Sequence, residues 1–287
     1  MLETCADLHQ TTGSDSGMPQ SRAVDVGGRR LALTCSGEGA PTVVLETGLG
    51  ADSVEWTQVY KGIAGVTRVL RYDRAGRGAS DPAPGRRDAL EMVRELHHLL
   101  HLSGIPGPYV LVGHSFGGLL MRLFAHRYGE SVAGVVLVDS MHEDQFEVFG
   151  PLFPPPTPAE TPALRNARAF WTSGWRDPNA TVERIDLVSS TDQGRAIASL
   201  NTIPLHVIVA GVFLNQPGVP QEYRIALQQR WEDLQRQFLN LSSVATCSIV
   251  RSSGHFIQRD DPGAVIDVIR MAVAAARGRP NAPLAGG

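Results

Sequence analysis

Residues 109–118 read YVLVGHSFGG, an unbroken apolar run passing directly into a serine set between glycines. A helical pattern, LLMRLFAHRYG, follows at once. A fully apolar strand needs cover on both faces, which restricts the chain to a sheet with helices packed on either side. A serine between strand and helix sits on a turn tight enough to push its backbone toward positive φ. Side chains two residues to either side would clash with that turn, so Gly113 and Gly117 are required. The turn lifts Oγ of Ser115 above the sheet, and the helix N-terminus behind it favours developing negative charge. A bare G-x-S-x-G is a weak pattern. Its place between an apolar strand and an amphipathic helix sets aside the alternative of a simple glycine-rich loop.

The rest of the chain repeats the same rhythm. AVDVGGRRLALTC holds two short β runs around Gly27-Gly28 and reads as a hairpin. TVVLE (42–46) and TRVLRY (67–72) flank a helical stretch near 54–64. Residues 86–102 put Leu90, Val93, Leu96, Leu99 and Leu100 on one helical face. Further strands are expected at 109–113, 132–139, 204–211 and 246–252, and helices at 220–241 and 262–277. The last helix opens with Asp261 as N-cap and Pro262 at its first position. The expected fold is α/β: an open, doubly wound, mostly parallel sheet of about eight strands with an antiparallel start. Length alone suggests two domains, but 287 residues is within the range of a single α/β domain.

One interval breaks the rhythm. From Ser140 to Ile203 no apolar strand appears; GPLFPPPTPAETP and the aromatic stretch ARAFWTSGW stand there instead. An insertion of this size after the sixth strand is expected to be a helical cap over the strand ends, where sites in such folds lie. A floppy loop would expose too much of Phe146, Phe149, Phe153, Phe170, Trp171 and Trp175. The expected organisation is a loose segment at 1–20, a core at 21–139 and 204–277, a cap at 140–203, and a tail at 278–287.

These motifs together resemble the α/β-hydrolase superfamily, in its capped, serine-nucleophile, esterase-like branch. GHSFGG is joined by ETGLG after the third strand, YDRAGRGASD after the fourth, and SSGHF after the last. The resemblance covers roughly residues 22–277 and is specific for the superfamily, not for one substrate. It implies Ser115 as nucleophile and His255, in the loop after the last strand, as its base. It also implies an oxyanion hole from the backbone N–H groups of Phe116 and Leu49. Where many relatives read His-Gly-x, this chain reads Thr47-Gly48-Leu49.

A serine hydroxyl is nearly inert until a base takes its proton, and nine histidines compete for that role. His97, His98 and His101 share a helix with no carboxylate–histidine motif, and read as a solvated face. His126 reads as surface, His206 as packed mid-strand, and His9 as part of the loose start. The usual slot for the triad acid, after PLHVIVAG, is empty: VFLNQPG follows, with no carboxylate until Glu222. Some superfamily members place the acid at the end of the strand after the nucleophile helix. Asp139 occupies that slot in VVLVDSMHEDQF and gives the order Ser115, Asp139, His255. Glu143 and Asp144 are fallback acids. His142 beside them lacks a second histidine at helical spacing, so a metal site is not expected. His114, Phe146, Phe149, Phe153, Trp171, Trp175 and Phe256 are expected around the substrate.

Other classes are poorly supported. The 26 basic and 29 acidic residues balance to −3 with no basic stripe, which disfavours nucleic acid. TVVLETGLGADS with Asp73 mimics a dinucleotide fingerprint, but Ser53 stands where a glycine or alanine should pack, and Asp73 and Arg74 read as shaping a turn. Cys5, Cys35 and Cys247 form no C-x-x-C and read as buried apolar residues or an unpaired tail thiol. No apolar run approaches the ~20 residues that span a bilayer, and MLETCADLHQ is no signal peptide, so a cytoplasmic protein is expected. The reading is a monomeric or homodimeric hydrolase with no cofactor or metal, acting on a small, mainly apolar carboxylic ester. A lactonase, amidase, perhydrolase or carbon–carbon bond hydrolase could use the same residues, and a receptor of the same fold would bind with little turnover.

Overall fold

The computed structural model describes residues 21–212 and 221–278. The expected hairpin forms from β1 (Arg22–Asp25) and β2 (Arg30–Ser36), which pair antiparallel. Gly27 and Gly28 turn it at φ +95° and +90°, where a side chain would be strained. The remaining strands are β3 (Thr42–Glu46), β4 (Val69–Tyr72), β5 (Tyr109–His114), β6 (Val132–Val138), β7 (Leu205–Ala210) and β8 (Ala245–Val250). They lie in the order β1-β2-β4-β3-β5-β6-β7-β8; β3 to β8 are parallel, and β2 meets β4 antiparallel. From β3 the chain crosses to β4 on one side and then returns to β5 on the other. The switch of chain direction therefore falls between β3 and β5, at whose carboxyl ends sites in such folds lie.

The helices are α1 (Thr57–Ala64), α2 (Ala89–Leu102), α3 (Phe116–Arg127), α4 (Gln145–Phe149), α5 (Pro162–Thr172), α6 (Leu187–Arg195), α7 (Gln221–Gln237), α8 (Ile257–Asp260) and α9 (Pro262–Arg277). The period-2 alternation of the strands divides the core. Leu111 of β5 packs in one layer with Leu96, Phe124 and Trp231, while Val110 and Val112 pack in the other with Trp56, Ile63 and Ile269. α2 starts later than its apolar pattern suggested because Asp88 caps it in a reciprocal box with Glu91. It buries Met92, Val93, Leu96, Leu99 and Leu100, while Leu90 is only half-buried. α9 begins as expected, with Asp261 accepting from Ala264 N–H at 3.0 Å.

Between β6 and β7 the chain forms α4, α5 and α6 with short 3-10 turns, and no named strand among these residues. The ring of Phe146 stacks on Trp175 at 4.5 Å and 7°, and Phe149 meets Trp171 edge-on at 5.5 Å. A single parallel bridge between Ile185 and Arg87 ties this insertion to the start of α2. One expectation about cysteine fails: Cys35, buried in β2, is disulfide-bonded, whereas Cys247 is free. The expected loose segment 1–20 and all of the expected tail except Gly278 lie outside the described residues.

Candidate active site

β5 runs into Ser115 at φ 52° and ψ −122°, and α3 starts at the next residue. A Cβ on Gly113 would sit 2.4 Å from Gly117 O, and one on Gly117 would sit 2.5 Å from Thr47 O. Both glycines are thus demanded by close backbone approach. The end of β6 grips the turn: Ser115 N–H donates to Val138 O at 3.1 Å, and Met141 N–H donates to Ser115 O at 2.8 Å.

The residue immediately after β6 is Asp139, fully buried and at φ 44°. Its N–H donates to Ile208 O at 2.7 Å, so the neighbouring strand fixes its backbone. Oδ1 accepts from Ala210 N–H at 2.8 Å and from the Trp231 indole N–H at 2.7 Å. Oδ2 lies 2.6 Å from Nδ1 of His255. A carboxylate only accepts, so this contact places the proton on Nδ1 and leaves Nε2 as the basic nitrogen. His255 itself is 29% exposed. Its loop is anchored by Asp260, whose Oδ2 accepts from Gly254 N–H at 2.9 Å and from the Ser253 hydroxyl at 3.3 Å. The last residue of β7, just before the slot that lacks an acid, supplies a donor to Asp139, Ala210 N–H. Trp231 and Ala210 were missed by sequence reasoning, and no local pattern marks either one.

The loop after β3 lies against the nucleophile turn: a Cβ on Gly48 would stand 3.2 Å from Ser115 Cβ. Among the described residues neither Leu49 N–H nor Phe116 N–H has a hydrogen-bond acceptor. Arg74 runs beneath this loop instead of only shaping its own turn. It is buried and donates to Thr47 O and Gly48 O, both at 2.7 Å. Asp73 does shape the turn, accepting from Ser53 N–H at 2.7 Å and Ala79 N–H at 3.1 Å.

A strand–turn–helix with a strained serine, a histidine after the last strand and a buried carboxylate partner can be compared with known proteins. The family model described as "alpha/beta hydrolase fold" matches residues 41–189. The chain belongs to the alpha/beta hydrolase fold family. Over 228 residues it is 26% identical to the uncharacterized protein YqjL of Bacillus subtilis (strain 168), covering 79% of this chain and 81% of that protein. It is 37% identical over 128 residues to "Probable transporter efuK" of Hormonema carpetanum; this match covers 42% of the chain and only 18% of that longer protein. Among solved structures, a serine hydrolase involved in carbazole degradation (CarC enzyme) superposes with a TM-score of 0.61 at 18% identity, covering 90% of this chain and 99% of that one. The alpha/beta hydrolase fold supports hydrolase activity.

Within that hydrolase fold the residues expected around the substrate divide. His114 is fully buried, with its ring 4.6 Å from that of His255 and 5.2 Å from that of Phe256. Its Nε2–H donates to His255 O at 2.8 Å, and burial, then the charge of His255, hold its pKa well below the usual value. His114 thus supports the base from beneath. Phe256 is half-buried beside it. Phe146, Phe149 and Trp175 are buried, Phe146 against Trp175 and Trp171 and Phe149 against Trp171, and Phe153 packs with Leu164. Phe146, Phe149 and Trp175 join the main core on one face of the sheet, where Phe149 also meets Trp231 at 5.8 Å.

VVLVDSMHEDQF separates cleanly once folded. Glu143 pairs with buried Arg122 at 2.9 Å, Asp144 pairs with Arg195 at 2.8 Å, and Nδ1 of His142 accepts from Asp144 N–H at 3.1 Å. They border a polar cavity of about 260 Å³. No cluster of three or more metal-ligating side chains occurs among the described residues, and no helix there is long and apolar enough to cross a membrane.

Proposed function

We propose that this chain is a serine hydrolase that cleaves a small, mainly apolar carboxylic ester through an acyl-enzyme, using no cofactor. The observation that carries the reading is the 2.6 Å contact of Asp139 with His255, in a chain whose serine sits on a strained strand-to-helix turn. In this reading Nε2 of His255 takes the proton of Ser115 as Oγ attacks the ester carbonyl, then returns it to the departing alcohol. Asp139 holds the tautomer and balances the imidazolium. The N–H groups of Leu49 and Phe116 receive the oxyanion, each contributing about 3–4 kcal/mol to the transition state. Water then attacks the acyl-enzyme by the reverse proton relay.

The insertion at 140–203 acts as a cap, and its aromatic content suits an apolar acyl or alcohol group. Balanced charge and the lack of a basic cluster disfavour highly anionic esters. The test is labelling of Ser115 by a fluorophosphonate, together with burst kinetics on p-nitrophenyl acetate and butyrate. Labelling and a burst are expected. Absence of both overturns the reading in favour of a ligand-binding protein of the same fold. A panel of lactones and amides beside the esters identifies the scissile bond.

A further inference from the structure

We propose that Arg74 and Glu183 are positioning residues that aim the Leu49 N–H at the reacting oxygen, so that the insertion between β6 and β7 completes the oxyanion hole. This rests on the hydrolase reading above. The guanidinium of Arg74 is a hub buried to 1% exposure. Nη1 donates to Glu46 Oε1 at 2.6 Å and to Thr47 O at 2.7 Å. Nη2 donates to Gly48 O at 2.7 Å and to Glu183 Oε1 at 2.6 Å, and Nε donates to Glu183 Oε2 at 2.7 Å. Glu183 comes from the insertion, 109 positions away in sequence. Its Oε1 also accepts from Gly50 N–H at 2.8 Å.

Peptide planarity turns these contacts into a direction. In a trans peptide the C=O and the following N–H point opposite ways. Gly48 O is drawn to Arg74, so the Leu49 N–H must point away from Arg74. Gly48 is also the residue that crowds Ser115. Bonds on Thr47, Gly48 and Gly50 therefore bracket the Leu49 amide, which has no acceptor among the described residues. A planar fork is needed to meet a bidentate carboxylate and two carbonyls together, a geometry that an ammonium cannot reproduce.

A merely structural ion pair would support the fold without favouring one reacting atom over another. The discriminating experiment compares an ester with its thionoester in Arg74→Lys and Glu183→Gln. Sulfur is a weak hydrogen-bond acceptor, so a thionoester draws little from the oxyanion donors. For the ester, kcat should fall about 100-fold in Arg74→Lys and about tenfold in Glu183→Gln, with KM within about threefold. Thionoester turnover should change by less than about threefold in both variants. Hydrogen exchange at Gly50, and at Ala51, whose N–H donates to Gly48 O at 3.3 Å, should also accelerate by about tenfold or more in both variants. Equal losses on ester and thionoester, or unchanged exchange, overturn the proposal. If Arg74→Lys does not fold, Glu183→Gln decides alone, because it preserves shape while removing the charge and one of the two accepting oxygens. Wild-type protein that neither labels nor turns over ester overturns the hydrolase reading, while the exchange measurement still decides whether Arg74 and Glu183 hold the loop.

Discussion

The indole N–H of Trp231 donates to Oδ1 of Asp139 at 2.7 Å, while the other oxygen of that carboxylate faces His255. The carboxylate is thereby fixed from α7 as well as from its own strand end. Trp231→Phe should keep most of the ring packing beside Phe149 but leave Oδ1 with only the Ala210 N–H. We expect kcat to fall about three- to tenfold with little change in KM, and stability to fall by about 1.5–3 kcal/mol. Steady-state kinetics and urea unfolding measure both, and an unchanged kcat would show that Trp231 does not orient the acid.

Ser115→Ala and His255→Ala should each lower kcat by about 10⁴-fold or more on p-nitrophenyl butyrate. Because the two residues act as one unit, the double variant should lose little more than either single one. Retention of most activity by either variant would falsify the nucleophile–base assignment.

Asp139→Asn should cost about 10²–10⁴-fold in kcat, because an amide cannot stabilise the imidazolium and can stabilise the wrong tautomer. Asp144→Asn should stay within about tenfold, since Asp144 is 44% exposed and engages Arg195 rather than the base. The same assay ranks the two, and a reversed order would move the acid to Asp144.

Acid should destabilise the fold through His114. Its pKa is held well below its ordinary value of 6.5, by burial first and then by His255. Between the folded value and about 6.5 the unfolded chain binds the proton and the folded chain does not. Stability therefore rises with pH across that window, is fully present above about 6.5, and is lost as pH falls below it. His114→Gln should flatten the slope of urea-unfolding free energy between pH 7.5 and 5.5. An identical slope in the variant would assign the dependence to other groups, such as His142, whose pKa burial also lowers.

Much of the architecture is legible in the chain because its signals are local. An apolar strand cannot stop at Gly113 and restart as a helix at Phe116 without the turn that strains Ser115. Asp139 is visible as a candidate because it ends the strand after the nucleophile helix while the slot after β7 is empty. The aromatic residues of the insertion are also visible, but composition says only that they need burial. Folding decides the partner, stacking Phe146 on Trp175. Arg74 was the least legible, since its turn motif explains its presence without reference to the loop it holds.

By itself, the sequence determined the α/β layering, the turn that strains the serine, a histidine after the last strand, and Asp139 as the leading candidate for the acid. Each follows from spacing within a few residues, where backbone sterics and side-chain periodicity act. Only the tertiary structure decided that Trp231 steadies that carboxylate, and that Glu183 grips Arg74 under the Leu49 loop. Those partners lie 92 and 109 positions apart, and a hydrogen bond needs its atoms within about 3 Å. Chain order carries no record of that proximity; packing of α7 and the insertion onto the sheet creates it.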